Sequence, residues 1–433
     1  MGSLLGPESV VRVGLDDPDV RGAAVALPDR GDWVARLARG AEGGAFDPAA
    51  LAEAPPEVLG YRAIWCATRY VHYGLPWDIT GLRLESRDPG AGSRPWIVLV
   101  HGGSANFYEF FVTPRNAPGL GQFLAQRQNV LLVTIPGNYR PGGWTQCAEA
   151  RAPQYLLDQD LPPEEVALRN AVYTNALVFA GLKDLIREHL DGDVLVVGHS
   201  TGGELAFLAA GDGDLGPRCG GRFLGWGSGG PSHWRRDWER ATGRRERKLR
   251  ELAAYPLVSR LRTRGAAEYA RSGYVGELNP CDGATDLERS ADWLAREARR
   301  RPNFKQVLQD VEHGAVVELR ERFEGELRTA IAVAPGAMDG EAVVRDLLAP
   351  APEPVVPWAR MAWVVGRADR GHWNEGAEHL ARERFVRDRF ATSWPGVSAK
   401  VLLIDAPLTH YGHVEAPAAL ASILHRAVAW LVA

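Results

Sequence analysis

Residues 194–203 read VLVVGHSTGG, and residues 204–210 continue as ELAFLAA. The first four residues are apolar without alternation, which suits a strand covered on both faces. The run after Gly203 has helical composition. Between them, Gly198-His199-Ser200-Thr201-Gly202 is a G-x-S-x-G motif in its required setting of strand, sharp turn and helix. The turn lifts the serine hydroxyl above the end of the sheet. Glycines on either side let strand and helix approach closely. The helix start then turns its free N–H groups and partial positive charge toward the same point.

Outward from this motif, other apolar runs recur: 96–100 (WIVLV), 130–135 (VLLVTI), 361–365 (MAWVV) and 401–404 (VLLI), with 222–226 (RFLGW) strand-like as well. Helical patterns separate several of them. One covers 164–189 behind Pro162-Pro163, and another opens at Pro417, a good first-turn proline. Strands alternating with helices predict a parallel α/β sheet. Ahead of it, 61–72 and 79–84 read as an antiparallel hairpin at a sheet edge, with its turn at 74–78. Residues 1–58 are loop-rich and form an N-terminal extension without evident chemistry. Between the strand at 222–226 and that at 361–365, residues 231–357 are charged and helically periodic. They read as an inserted, mainly helical lid dividing a core of 59–230 and 358–433.

The 433-residue length exceeds one ordinary core and suggests either two domains or one large domain with such an insertion. With 45% hydrophobic and 24% charged residues, the composition is that of a folded globular protein. The net charge of -4 lacks the basic excess that nucleic acid usually demands. No apolar run reaches the ~18 residues of a membrane span. The first residues lack the pattern of a signal peptide, so a cytoplasmic location is expected. Cys66, Cys147, Cys219 and Cys281 are far apart, without metal-ligand spacing, and read as reduced thiols. Only Lys183, Lys248, Lys305 and Lys400 are lysines among 50 basic residues, a bias that fits a GC-rich bacterial genome.

With its motif and strand pattern, the chain resembles the α/β-hydrolase superfamily over about 60–230 and 358–433. The resemblance implies a mostly parallel central sheet flanked by helices and a serine hydrolase activity. A serine hydroxyl needs a base to take its proton. Family order places an acid and then a histidine after the nucleophile Ser200. Gly366-Arg367-Ala368-Asp369 resembles the family's G-x-x-D, making Asp369 the candidate acid and Asp237 the runner-up. Gly412-His413 resembles its G-H, making His413 the candidate base ahead of His410. Asp405 ends a strand and is a weaker acid candidate. Two backbone N–H groups are expected to hold the oxyanion. One is from Thr201, and the other is from Gly103, or else Ser104, in His101-Gly102-Gly103-Ser104. His101 is read as a loop-ordering residue.

Other signals compete with these. Gly225-Trp226-Gly227-Ser228-Gly229-Gly230 fits G-x-G-x-x-G, but Pro231 and an arginine-rich segment follow where a helix would be needed. His410 and His413 have a spacing that suits a metal, yet no third ligand stands near, so neither metal nor cofactor is expected. Residues 235–250 (RRDWERATGRRERKLR) read as a solvated helix face or a rim for an anionic substrate. His199, Ser104, Tyr139, Arg140, Trp144 and Trp226 are candidate substrate contacts. Serine at the elbow argues against the carboxylate-nucleophile chemistry of epoxide hydrolases and haloalkane dehalogenases. The expected substrate is an ester, lactone or thioester of a medium-sized, partly apolar small molecule. Amide or carbon–carbon hydrolysis, acyl transfer, lyase or isomerase chemistry and pure ligand binding remain alternatives. The sequence leaves oligomeric state open, a homodimer included.

Overall fold

The computed structural model describes residues 10–18, 20, 56–102, 107–111, 118–136, 175–200, 202–227, 338–342, 355–367, 396–406, 408 and 412–433. Nine strands form one sheet: β1 (Val10–Val13), β2 (Tyr61–His72), β3 (Leu75–Ser86), β4 (Trp96–Val100), β5 (Val130–Thr134), β6 (Val194–His199), β7 (Arg222–Trp226), β8 (Arg360–Gly366) and β9 (Ser398–Ile404). Their order is β1-β9-β8-β7-β6-β4-β5-β3-β2. β2 and β3, and β3 and β5, pair antiparallel, and every other pairing is parallel.

The unbroken apolar runs are explained by cover on both faces. In β4, Val98 and Val100 join one buried cluster, while Ile97 and Leu99 join the other. β5, β6, β8 and β9 divide their residues in the same alternating way. The helices Asn175–His189 and Gly202–Gly211 cover the first face, through residues such as Leu182, Ile186, Leu205 and Phe207. The helices Leu120–Leu124 and Pro417–Val432 cover the second, through Leu124, Leu420 and Leu424. Helix Gly202–Gly211 lies almost wholly in the interior, which is why its sequence is apolar all round.

Two readings from sequence are corrected. The N-terminal extension is not loop alone: Val10–Val13 pairs parallel with β9, in register Val10↔Val401, as an edge strand of the core sheet. Four residues are too few for a periodic signal. The hairpin turn is Tyr73-Gly74 rather than 74–78, with His72 opposite Leu75. Both turn residues have positive φ, 54° and 75°, as a two-residue turn matched to strand twist requires. Pro76 is tolerated inside β3 because it lies before the stretch Thr80 to Leu84 that pairs with β5.

Of the helical pattern at 164–189, the described part is Asn175–His189. Most of 231–357 lies outside the described residues. Within it, Asp339 donates its backbone N–H to the Tyr73 carbonyl at 3.0 Å, beside the hairpin turn.

Candidate active site

The chain runs from β4 to β5 on one side and returns to β6 on the other side of β4. Such a reversal opens a crevice at the carboxyl ends of the strands, where ligands of α/β sheets bind. His101 and Gly102 follow β4 at this crevice, and His199 and Ser200 close β6 beside them.

Ser200 has φ of 53°, one of two non-glycine residues in the left-handed region among those described. That conformation costs an L-residue roughly 1–2 kcal/mol. Its surroundings enforce it. The Ser200 N–H donates to the Trp226 carbonyl at 3.1 Å, continuing the β6–β7 ladder, while the Ser200 carbonyl accepts from Gly203 N–H at 3.1 Å, opening the helix. A Cβ on Gly202 would stand 2.2 Å from the Val100 carbonyl oxygen, so only glycine lets the helix start cross β4 here. Ser200 is buried, 5% exposed.

Gly102 lies against the serine: a Cβ there would meet Ser200 Cβ at 2.9 Å and Oγ at 3.4 Å. His101 fixes this loop. Its Nε2 accepts the Ile135 N–H at 3.1 Å, so Nδ1 carries the proton and donates to the Gly102 carbonyl at 2.6 Å. The ring is buried and bridges the ends of β4 and β5, which matches the loop-ordering role read from sequence.

His413 belongs to the turn Gly412–Glu415, just ahead of helix Pro417–Val432. It is fully buried. Its ring centroid lies 4.4 Å from that of His199 and 5.2 Å from that of Phe110. The indole Nε1–H of Trp226 donates to His413 Nδ1 at 3.3 Å. Gly412 makes room for that indole, since a Cβ there would lie 2.5 Å from the ring. The structure therefore gathers Ser200, His199, His413 and Trp226 at one end of the sheet. Trp226, weighed from sequence as a pocket wall, is 1% exposed and packs on the candidate base. Phe110 went unrecognised from sequence because nothing local marks it.

Asp405 accepts from Arg367 Nη1 at 2.7 Å and is half-exposed, in contrast to the buried histidine. Asp369, the runner-up Asp237, Thr201, Gly103, Ser104, Tyr139, Arg140, Trp144 and His410 lie outside the described residues. Asp369 follows the end of β8 in sequence by three positions. The described residues contain no group of three or more His, Cys, Asp or Glu placed to hold a metal. They also contain no helix long and apolar enough to cross a membrane.

No protein-family model matches the chain, and no curated protein matches it. Solved structures do resemble it. A probable hydrolytic enzyme from Pseudomonas aeruginosa is 16% identical, covering 84% of this chain and 93% of its own, with a TM-score of 0.40. The thioesterase domain from the curacin biosynthetic pathway is 14% identical, covering 84% and 99%, with a TM-score of 0.36. An epoxide hydrolase from Bacillus megaterium is 11% identical, covering 83% and 98%, with a TM-score of 0.38. They are named for different chemistries, and at these scores they carry no argument about the reaction. The sheet order, with its reversal at β4, and the strand–turn–helix that carries Ser200 are features of the chain itself, and they give it the α/β-hydrolase fold.

Proposed function

We propose that the protein is a serine hydrolase that works through an acyl-enzyme. The observation that carries this reading is Ser200 held at positive φ between β6 and a buried helix, with the buried imidazole of His413 at the same end of the sheet. A strained serine at a helix start is costly for a structural position and useful for a nucleophile.

In the proposed reaction, Ser200 Oγ attacks a substrate carbonyl while His413 takes the hydroxyl proton. Asp369 stabilises the imidazolium that results. The tetrahedral oxyanion accepts hydrogen bonds from the Thr201 and Gly103 backbone N–H groups. The His101 contact supports the second assignment, because it pins the Gly102 carbonyl, and a planar peptide group links that carbonyl to the Gly103 N–H. The leaving group departs with the proton from His413. Water then attacks the acyl-enzyme with His413 as base, releasing the acid and restoring Ser200. The expected substrate is an ester, lactone or thioester of a medium-sized, partly apolar small molecule.

The test is intact mass after incubation with a fluorophosphonate, with Ser200→Ala as control. One adduct that vanishes in Ser200→Ala supports the reading. Folded protein without an adduct would count against an activated serine and favour a ligand-binding role.

A further inference from the structure

The segment that leaves β4 is held at both ends by two consecutive residues at the end of β5. His101 Nε2 accepts the Ile135 N–H at 3.1 Å, and Thr134 Oγ1 accepts the Phe107 N–H at 2.9 Å. Gly103, the proposed oxyanion donor, stands between these anchors in sequence. Phe107 is fixed a second time by its ring, which lies at 67° to that of Trp65 with centroids 5.5 Å apart. Its carbonyl accepts the Phe110 N–H at 3.0 Å. The Phe110 ring then packs on His413 and His199, at 5.2 and 6.1 Å between centroids. A short path thus runs from the Thr134 hydroxyl to the candidate base. Packing alone does not call for a hydroxyl at this point. Side chains alternate along β5, so Thr134 faces the same apolar cluster as Val130 and Leu132. It is 1% exposed. Valine has the same shape and no polar group to bury.

We infer that Thr134 is a positioning residue, whose hydroxyl sets the start of the helix Tyr108–Phe111 and so the seat of Phe110 against the two imidazoles. The far end of that helix is fixed independently, since the Phe111 carbonyl accepts from the Gly119 N–H at 2.9 Å and from the Gln122 side-chain amide. Without the Thr134 acceptor the helix keeps its far hold and pivots at its start. That movement shifts Phe110 and, through it, His413. The role in the reaction rests on the hydrolase reading above, whereas the hold on Phe107 does not.

The native, Thr134→Val and Thr134→Ser full-length proteins are labelled with a fluorophosphonate over a range of concentrations, which separates the maximum rate from the half-saturating concentration. Thr134→Val keeps the shape and removes the acceptor, and its maximum rate is expected to be roughly tenfold lower, with the half-saturating concentration little changed. Thr134→Ser keeps the acceptor and restores the rate. Phenyllactic acid in place of Phe107 turns the amide N–H into an ester oxygen, and it gives the same answer if Thr134→Val does not fold. A native rate in the protein lacking the contact, or a rate in Thr134→Ser as low as in Thr134→Val, overturns the inference. A lower urea midpoint with an unchanged rate marks a merely structural contact and overturns it as well. Hydrogen exchange of the Phe107 amide is read in the same proteins. It is expected to be faster in Thr134→Val than in the other two, and equal protection in all three overturns the hold itself. Unlabelled native protein defeats the hydrolase reading and the positioning role with it, and exchange alone then judges the hold on Phe107.

Discussion

Gly198 and Gly202 meet backbone to backbone: a Cβ on Gly198 would lie 2.2 Å from the carbonyl carbon and oxygen of Gly202. Neither carbonyl atom can swing aside as a side chain can. Gly198→Ala is therefore expected to cost at least about 3 kcal/mol and to abolish soluble expression or lower the urea midpoint sharply. A Gly198→Ala protein of native stability would show that strand and helix have room that this geometry denies.

Gly102 presents a contrasting case. Its missing Cβ faces the side chains of Ser200 and His199, at 2.9 Å from Ser200 Cβ and 3.5 Å from His199 Nδ1. Gly102→Ala should fold, at a cost of about 1–3 kcal/mol, and displace the serine. Fluorophosphonate labelling should slow by roughly tenfold or more, since small misplacements of reacting groups are expensive. Equal labelling rates in both proteins would place the reactive hydroxyl elsewhere.

Strain at Ser200 can be measured as stability. Ser200→Ala removes the hydroxyl and leaves a Cβ at φ of 53°. Ser200→Gly removes the Cβ as well. The glycine protein is expected to be more stable than the alanine protein by about 1 kcal/mol in urea denaturation, and both should be unreactive. A less stable glycine protein would mean that the turn stores no strain at this residue.

His425, on helix Pro417–Val432, supplies a pH-dependent term. Burial, with the Arg127 and Arg94 guanidiniums, pushes its imidazole down to about 4. Its Nε2 is buried and has no hydrogen-bond partner among the described residues. The unfolded chain takes up the proton near pH 6.5, before the native state does. This residue's contribution is thus fully present above about 6.5 and is lost as pH falls toward 4, on the order of 3 kcal/mol in all. His425→Phe should flatten the native protein's stability over that window when unfolding is followed at pH 7, 6, 5 and 4. Parallel curves for the two proteins would assign the acid sensitivity to other groups.

Thiol reactivity tests the interior. Cys219 is 1% exposed and burial pushes its thiol up to about 12, and Cys66, 2% exposed, is raised for the same reason. Only the thiolate reacts. At pH 8 the peptides carrying these two cysteines should be alkylated by iodoacetamide roughly a hundredfold more slowly in the native protein than in guanidinium. Rapid native alkylation of either would contradict the packing of the first sheet face.

The sequence by itself determined what local chemistry controls. Unbroken apolar runs suited strands covered on both faces, and G-x-S-x-G between a strand and a helical run suited a tight, glycine-flanked turn. Pro417 likewise fixed the start of the last helix. Tertiary structure alone decided what depends on neighbours distant in the chain. Val10–Val13 became a strand because β9 offered an open edge, not because four residues specify one. His101 found the amide of Ile135 across the sheet. Trp226 and His413 are 187 positions apart, and no periodicity or motif relates an indole N–H to the imidazole it meets. A turn is encoded by the few residues whose torsions it sets, whereas a side-chain partnership exists only once the sheet has brought the two strand ends together.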